Sequence, residues 1–225
     1  MKTVSIAIDG PSGAGKSTLA RKAAAALGYV YVDTGAIYRT IGYDMCAHGI
    51  DVREEQAVVE RLPKLKVSLT YGEDGLQHML LNGKDVTEEI RMPKVSMAAS
   101  VVSAYPAVRA YLLEMQRKLA RTRDVVMDGR DIGTVVLPDA TVKIFLTATA
   151  EERAHRRMLE LHQRGMDQSY ESVLQDIQER DYNDIHRAAA PLRQAEDAIL
   201  LDTTHLNFEE SEQAILRLIR ERTGA

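Results

Sequence analysis

The sequence predicts a three-layer α/β fold, in which a five-stranded parallel sheet carries helices on both faces. Short apolar segments rich in β-branched residues alternate with longer helical segments along most of the 225 residues. This alternation is typical of parallel strands joined by crossover helices. Each strand-like segment is also followed by a polar or helix-initiating residue, as expected where a buried strand reaches the edge of its sheet.

The expected strands are short and apolar, and we place them at 4–8, 29–32, 125–127, 142–146 and 198–201. Helices are predicted at 17–27, 36–47, 53–62, 94–121, 150–163, 169–186 and 208–221. Gly28 follows the first helix and is a typical helix terminator.

The segment from about Leu65 to Ile90 departs from this alternation. Residues 65–70 and 76–83 both favour strands, and between them Gly72 and Gly75 indicate a turn. The sequence therefore predicts a small antiparallel insertion on an otherwise parallel domain.

Composition limits the classes of partner. A net charge of −4 and a pI near 5.9 argue against nucleic acid or an anionic membrane surface as the main partner. No apolar stretch approaches the length of a bilayer span. Cys46 is the single cysteine, and the chain enters a strand without a signal-like segment. We expect a monomeric protein located in the cytoplasm.

A glycine-rich motif lies between the first predicted strand and the first predicted helix. It fits the phosphate-binding loop (P-loop) pattern G-x-x-x-x-G-K-[ST] and consists of Gly10, Pro11, Ser12, Gly13, Ala14, Gly15, Lys16 and Ser17, followed by Thr18. Glycines allow backbone N–H groups to converge on an anion. Lys16 is expected to reach the β- and γ-phosphates, and Ser17 to hold Mg²⁺. The alternative is a glycine-rich turn without a ligand.

Further polar residues follow the second and third predicted strands, where ligands gather in parallel sheets. Thr34 can cap the next helix or contact substrate, and Arg39 lies in an otherwise apolar helix where a planar cation suits a phosphate. Asp128 occupies the usual position of a Mg²⁺ partner. Arg130 offers a cation and Asp131 an acceptor, although a capping Asp with an internal ion pair would also explain this segment.

Arginines are frequent in the last third of the chain. Residues 180, 184 and 187 share a helix face, but a solvated stripe of Arg–Asp pairs explains that spacing equally well. The number of arginines in the predicted site favours a site that neutralises two polyphosphate substrates. These arginines are Arg39, Arg109, Arg130, Arg180 and Arg187.

The chain resembles the bacterial-type cytidylate kinases of the P-loop nucleoside monophosphate kinase family. The resemblance is carried by segments spread over nearly the whole sequence: 8–18, 33–39, 128–136, 180–187 and 190–192. It implies transfer of the ATP γ-phosphoryl group to CMP, and also to dCMP. It further implies a core domain at 1–61 and 92–225, a lid near 151–166 and a monophosphate-binding insertion at 62–91.

The resemblance also implies a role for individual residues. The P-loop, Lys16 and Mg²⁺ would hold ATP, with Ser17 and Asp128 at the metal and Arg153 and Arg157 closing over the phosphates. The CMP phosphate would be bound by Arg39, Arg130 and Arg187. Cytosine would be recognised by Thr34, Ser100, Arg109 and Asp131, and ribose by Arg180 and Asp184.

Two other functions share parts of this pattern. A kinase for another small acceptor, such as a different monophosphate or shikimate, would have the same loop and sheet. A nucleotide-dependent switch is a non-enzymatic alternative, but the chain has no Asn-Lys-x-Asp segment for guanine recognition. A protein-bound metal centre is not indicated, because the histidines lack paired ligand spacing: His48, His78, His155, His162, His186 and His205.

Overall fold

The computed structural model describes residues 3–163 and 165–224; Arg164, within the expected lid, lies outside the described residues. The strands are β1 (Ser5–Asp9), β2 (Val30–Asp33), β3 (Val67–Tyr71), β4 (Gln77–Leu81), β5 (Lys84–Asp85), β6 (Val125–Gly129), β7 (Val142–Thr147) and β8 (Ile199–Asp202). The α-helices are α1 (Lys16–Leu27), α2 (Thr34–Ala47), α3 (Glu55–Arg61), α4 (Pro93–Val102), α5 (Pro106–Thr122), α6 (Ala150–Gln163), α7 (Tyr170–His186) and α8 (Phe208–Thr223). Short 3₁₀ turns occur at Leu62–Lys64 and Glu89–Arg91, and a π-helix at Ile132–Val136.

The main sheet has five parallel strands in the order β2-β6-β1-β7-β8. Its register pairs Asp9 of β1 with Gly129 of β6, and Asp33 of β2 with Asp128 of β6. The polar ends of three neighbouring strands therefore meet at one edge of the sheet. The predicted fold class is confirmed.

The core lies on both faces of this sheet. Along β1, Ile6 and Ile8 pack with α1 and α8, whereas Ala7 between them belongs to the cluster formed with α2, α4 and α5. This alternation follows from the two-residue period of a strand. It produces the three layers that the sequence predicts.

A second sheet, of antiparallel strands β3, β4 and β5, follows the first 3₁₀ turn. The predicted strand, turn and strand are confirmed, with β5 as an additional short strand. Among the described residues, no helix is long and apolar enough to cross a membrane.

The single helix predicted at 94–121 is wrong, because the structure has two helices there. α4 ends at Val102 and α5 begins at Pro106. Pro106 lacks an N–H group and disfavours helical geometry in the residue before it. Tyr105 accordingly adopts an extended conformation, with φ −83° and ψ 124°.

Candidate active site

The glycine-rich loop joins β1 to α1 in a conformation that requires glycine. Gly10 has φ +152°, and a Cβ atom there would lie 1.9 Å from the carbonyl oxygen of Leu146. Gly13 and Gly15 have φ +76° and +83°. Gly15 precedes α1, and no side chain caps this helix. The positive end of the α1 dipole therefore faces the loop, as phosphate binding requires.

Lys16 lies beneath the loop and is nearly fully buried. Its Nζ donates a hydrogen bond to the carbonyl oxygen of Pro11 at 2.7 Å. Burial, reinforced by the Arg130 guanidinium, lowers the pKa of Lys16 to about 7. An anionic phosphate nearby would favour the charged form and raise this pKa again.

Asp128 connects three elements at the edge of the sheet. Its Oδ2 accepts a hydrogen bond from Ser17 at 2.9 Å, and its Oδ1 accepts one from the Tyr31 hydroxyl at 2.8 Å. The Thr34 hydroxyl donates to the backbone carbonyl of Asp128 at 2.7 Å. Burial, together with the Asp33 carboxylate, raises the pKa of Asp128 to about 6. Ser17 and Asp128 thus form a pair of oxygen donors beside the loop, a donor type that suits Mg²⁺.

Arg39 is held at the start of α2 by Asp33. Its Nη2 lies 2.8 Å from Asp33 Oδ2, while Asp33 Oδ1 accepts a hydrogen bond from the backbone N–H of Ala36 at 2.8 Å. Asp33, rather than Thr34, is thus the N-cap of α2. The Arg39 Nε is buried and has no hydrogen-bond partner among the described residues. A buried cationic donor without an acceptor suits an anion bound here.

Asp131 lies between two arginines. Its Oδ2 accepts a hydrogen bond from Arg109, and its Oδ1 lies 3.4 Å from Arg187 Nη2. Arg109 also donates to the carbonyl oxygen of Ser103 at 3.1 Å and lies over the Tyr38 ring, 5.6 Å from its centroid. Asp131 is only 4% exposed. The arrangement presents an acceptor and several donors at one place.

Arg130 and α7 are joined by an ion pair. The Arg130 Nε lies 2.6 Å from Asp184 Oδ2, and Asp184 Oδ1 is 3.7 Å from Arg187 Nη1. Arg180, on the same helix, contacts the sulfur of Met97 at 3.5 Å, and its Nε is buried without a hydrogen-bond partner. The predicted helix face therefore points toward Arg130, in the segment that follows β6, instead of forming a solvated stripe.

Arg153 lies against the underside of the loop. It forms a two-pronged ion pair with Asp181, at 2.6 and 3.0 Å, and donates to the carbonyl oxygen of Ser12 at 2.9 Å. A Cβ atom added to Gly13 would lie 3.2 Å from the Arg153 Cβ. Arg157, one turn further along α6, is half-buried and pairs with Glu160 at 2.7 Å.

The remaining predicted residues lie around this centre. Thr18 is exposed on the first turn of α1, whereas Pro11 and Ala14 are buried within the loop. Ser100 is half-buried on α4, and its carbonyl oxygen accepts a hydrogen bond from Ser103. The hydroxyl of Ser103 in turn lies 3.3 Å from Arg187 Nη1.

Sequence reasoning missed several residues that hold the predicted ones in place: Asp9, Tyr31, Asp33, Ser103 and Asp181. Asp9 and Asp33 end β1 and β2, so they carry the same strand-end signal that singled out Asp128. Nothing in the sequence indicates that the Tyr31 hydroxyl or Ser103 would meet partners distant in the chain.

Comparisons with known proteins identify the family of this chain. The family model described as Cytidylate kinase matches residues 6–221. A cytidylate kinase of Caldicellulosiruptor bescii is 52% identical over 218 residues, covering 97% of this chain and 96% of the relative. One from Caldicellulosiruptor saccharolyticus is 50% identical over 224 residues, covering 100% and 99%. The crystal structure of an uncharacterized protein from Eubacterium ventriosum, 12% identical with a TM-score of 0.51, covers 98% of this chain and 100% of its own and shares the fold alone. The chain therefore belongs to the cytidylate kinase family.

Proposed function

We propose that the protein transfers the γ-phosphoryl group of ATP to CMP and to dCMP, giving ADP and the cytidine diphosphates. The observation that carries this proposal is the position of the Arg109–Asp131–Arg187 cluster on the same edge of the sheet as the phosphate loop. A nucleotide-phosphate site and a polar site that combines an acceptor with donors thus occur together, as a two-substrate transfer requires.

The loop side is proposed to hold ATP. Lys16 and the loop amides would contact the β- and γ-phosphates, and Arg157, one turn beyond Arg153 on α6, would approach them when the predicted lid closes. Arg153 would act by supporting the loop, because its guanidinium already binds Ser12 and Asp181. Closure of the predicted lid, 151–166, would exclude water from the site.

The acceptor side is proposed to hold the monophosphate. Among the described residues Arg39 has an unpartnered donor, and Arg130 and Arg187 are linked through Asp184, so these three would bind the CMP phosphate. The ion pairs with Asp33 and Asp184 hold the guanidinium groups before substrate arrives. The insertion at 62–91 is proposed to close this side, and Arg180 and Asp184 to contact the ribose.

Base recognition is proposed to depend on Asp131 and Arg109. Cytosine differs from uracil in having an exocyclic amine that donates, and an N3 that accepts. A carboxylate suits the amine and a guanidinium suits N3 or O2. Thr34 and Ser100 would add hydroxyl contacts. A site that pairs these groups is expected to reject uracil, because the wrong base leaves buried polar atoms unpaired.

Phosphoryl transfer at this site needs little help from a general base. A nucleoside monophosphate is already largely dianionic at neutral pH, since its second pKa is about 6. The residues would therefore act by orienting the two substrates and neutralising their charge. When bound at Ser17 and Asp128, Mg²⁺ would neutralise charge on the transferred phosphoryl group; the remaining ligands would be phosphate oxygens and water. A monomeric state and a cytoplasmic location stay predictions.

The test is a substrate panel. Purified protein with ATP and Mg²⁺ is supplied with CMP, dCMP, UMP, AMP, GMP or shikimate, and ADP release is followed. Rapid turnover confined to CMP and dCMP is the expected result. Equal turnover with UMP would contradict the role proposed for Asp131. Turnover with shikimate alone would show that the acceptor is not a nucleoside monophosphate.

A further inference from the structure

Asp9 is a buried carboxylate that contacts neither of the proposed substrate positions directly. It ends β1, directly before the first loop glycine, and is only 5% exposed. Its Oδ1 accepts a hydrogen bond from the backbone N–H of Ile132 at 2.7 Å, and its Oδ2 accepts one from the N–H of Gly133 at 2.7 Å. Both carboxylate oxygens are thus committed to one short stretch of backbone.

That stretch is the start of the π-helix Ile132–Val136, which follows Asp131. The first amides of any helix lack acceptors within the helix and need them from elsewhere. Asp131 is the N-cap residue, and aspartate at this position usually accepts these bonds itself. Here its side chain makes no capping bond and faces Arg109 and Arg187 instead.

Asp9 therefore performs the capping that Asp131 does not. Because Asp9 caps the π-helix, the Asp131 carboxylate is available to Arg109 and Arg187 while the first amides of the π-helix keep their hydrogen bonds. The backbone of Asp9 is itself fixed, since it is paired with Gly129 of β6 and with Phe145 of β7 in the middle of the sheet. The capping interaction thus ties the segment that follows β6 to the central strand of the main sheet.

The packing around this interaction leaves little freedom. A Cβ atom added to Gly133 would lie 3.1 Å from Lys143 Cδ and 3.4 Å from Asp9 Oδ2. The π-helix is also an uncommon conformation that occurs often at functional sites.

The environment of Asp9 makes its ionised form costly. Burial raises the pKa of Asp9 to about 6, and the Asp131 carboxylate adds to this, whereas the two backbone hydrogen bonds and Lys16 oppose it. Among the groups that favour the ionised form, the two backbone hydrogen bonds to Gly133 and Ile132 contribute most.

We infer that Asp9 is a positioning residue of the acceptor site, which caps the π-helix in place of Asp131 and so holds the Asp131 carboxylate toward its ligand. The inference rests on the acceptor role proposed for Asp131. Asp9 lies directly before the loop that is proposed to bind ATP, but its inferred role concerns the binding of the other substrate, CMP.

The test compares two isosteric variants. In Asp9→Asn the side-chain NH2 group faces one of the two backbone N–H groups and cannot accept its hydrogen bond. The variant therefore loses one of the two capping bonds. Asp202→Asn is the matched control, because Asp202 also ends a parallel strand and accepts from a nearby backbone N–H, that of Thr204 at 2.8 Å. Dissociation constants for CMP alone and for ATP alone are measured by calorimetry, and amide hydrogen exchange is followed at Ile132 and Gly133.

For Asp9→Asn we expect the CMP dissociation constant to rise about tenfold and the ATP constant to change by less than about twofold, with faster exchange at both amides. The control should match the wild type. Gly133→Ala disturbs the same interaction from the other side and should weaken CMP binding in the same selective way, which covers the case in which Asp9→Asn fails to fold.

Three outcomes would overturn the inference. Unchanged CMP binding by Asp9→Asn, with wild-type protein binding CMP normally, rejects it and leaves the proposed function intact. Equal loss of CMP and ATP affinity would show a general structural role. Failure of the wild-type protein itself to bind CMP would reject the proposed function and the inference together.

Discussion

At the scale of single residues, the site is a set of cations held by carboxylates. Arg39 pairs with Asp33, and Arg130 pairs with Asp184. Partly buried ion pairs of this kind repay the loss of hydration only when their geometry is good. Because a phosphate can replace a carboxylate as the acceptor, these pairs keep the guanidinium groups in position without saturating them.

Lys16 is expected to destabilise the folded protein below pH 10.5. Its pKa falls from 10.5 in the unfolded chain to about 7 in the fold because of burial. Between pH 7 and pH 10.5 the unfolded state therefore binds more protons than the folded state. The stability that this group contributes is fully present above pH 10.5 and is lost as the pH falls to 7, where burying the charged lysine has its full cost. Lys16→Met should raise the free energy of unfolding at pH 7 by roughly 3 kcal/mol, since the lowered pKa corresponds to about 4 kcal/mol at about 1.4 kcal/mol per unit and the lost hydrogen bond costs about 1 kcal/mol.

Urea unfolding at pH 7 and pH 10 measures this effect. The gain should be smaller at pH 10, and phosphoryl transfer should be abolished. Lys22→Met, at an exposed position of the same helix, is the control and should leave both stability and activity almost unchanged. A loss of stability in Lys16→Met at pH 7 would contradict the expected cost of burying this cation.

Arg130 is expected to depend on its planar geometry as well as on its charge. It donates from Nε to Asp184 at 2.6 Å and from Nη1 to the carbonyl oxygen of Gly129 at 3.3 Å. Lysine keeps the charge but loses this fork. Arg130→Lys should therefore lower kcat/KM for CMP by about 10- to 100-fold, in proportion to one or two lost charge-assisted bonds. Steady-state kinetics measure the change, with Arg121→Lys on the exposed part of α5 as the control; equal kinetics would remove Arg130 from the acceptor site.

The sequence predicts most of the cations at this scale but few of their partners. Strand-end position and motif singled out Lys16, Asp128 and Arg130, because both signals are local. The pairing of Arg153 with Asp181 joins residues 28 positions apart on two helices, and the Tyr31 bond to Asp128 spans 97 positions. Such contacts depend on how the helices and strands pack, which local patterns do not contain.

At the scale of elements, α2 and α4 pack closely beside the acceptor side. Gly42 allows this approach: a Cβ atom there would lie 2.8 Å from the backbone nitrogen of Ala99 and 3.1 Å from the carbonyl oxygen of Val95. α2 carries Arg39 and α4 carries Ser100. The distance between these two helices therefore sets the width of the proposed cytidine site.

Gly42→Ala tests this packing. Alanine favours a helix over glycine by about 1 kcal/mol, but its methyl group would force apart two backbones that cannot adapt as side chains do. We expect a net loss of about 1–3 kcal/mol in the free energy of unfolding, measured with urea, and a higher KM for CMP. A gain in stability would mean that the helices do not approach this closely.

The elements themselves follow closely from local patterns. β-branched segments and helix signals predict all strands of the main sheet, because apolar periodicity determines which faces are buried. The break between α4 and α5 was missed although Pro106 signals it, since the apolar pattern continues through it. The Tyr105 hydroxyl bond to the carbonyl oxygen of Val52, at 2.8 Å, adds a tertiary contact at this break that no local rule supplies.

At the scale of the whole molecule, α7 links the two halves of the site. Asp181 binds Arg153, which supports the ATP loop through the carbonyl oxygen of Ser12. Asp184, one turn further along, binds Arg130 in the segment that follows β6. One helix thus contacts both of the proposed substrate sites through side chains on nearly the same face.

Variants of these two aspartates should separate the substrates. Asp181→Asn weakens the support of the loop and should raise the KM for ATP several-fold more than the KM for CMP. Asp184→Asn should have the opposite preference, because it releases Arg130 and removes a contact to Arg187. Steady-state kinetics with each substrate varied in turn measure both, and Glu179→Gln, exposed on the same helix, is the control.

The pattern of the two KM changes decides how α7 acts. Opposite preferences mean that each carboxylate serves one substrate and that the helix joins two independent supports. Equal changes in both KM values for both variants would contradict this division, because they would mean that α7 moves as one wall and that loosening either end disturbs the whole site. In that case an Asp181→Asn, Asp184→Asn double variant would show strongly non-additive effects, whereas independent supports predict that the two changes in free energy add.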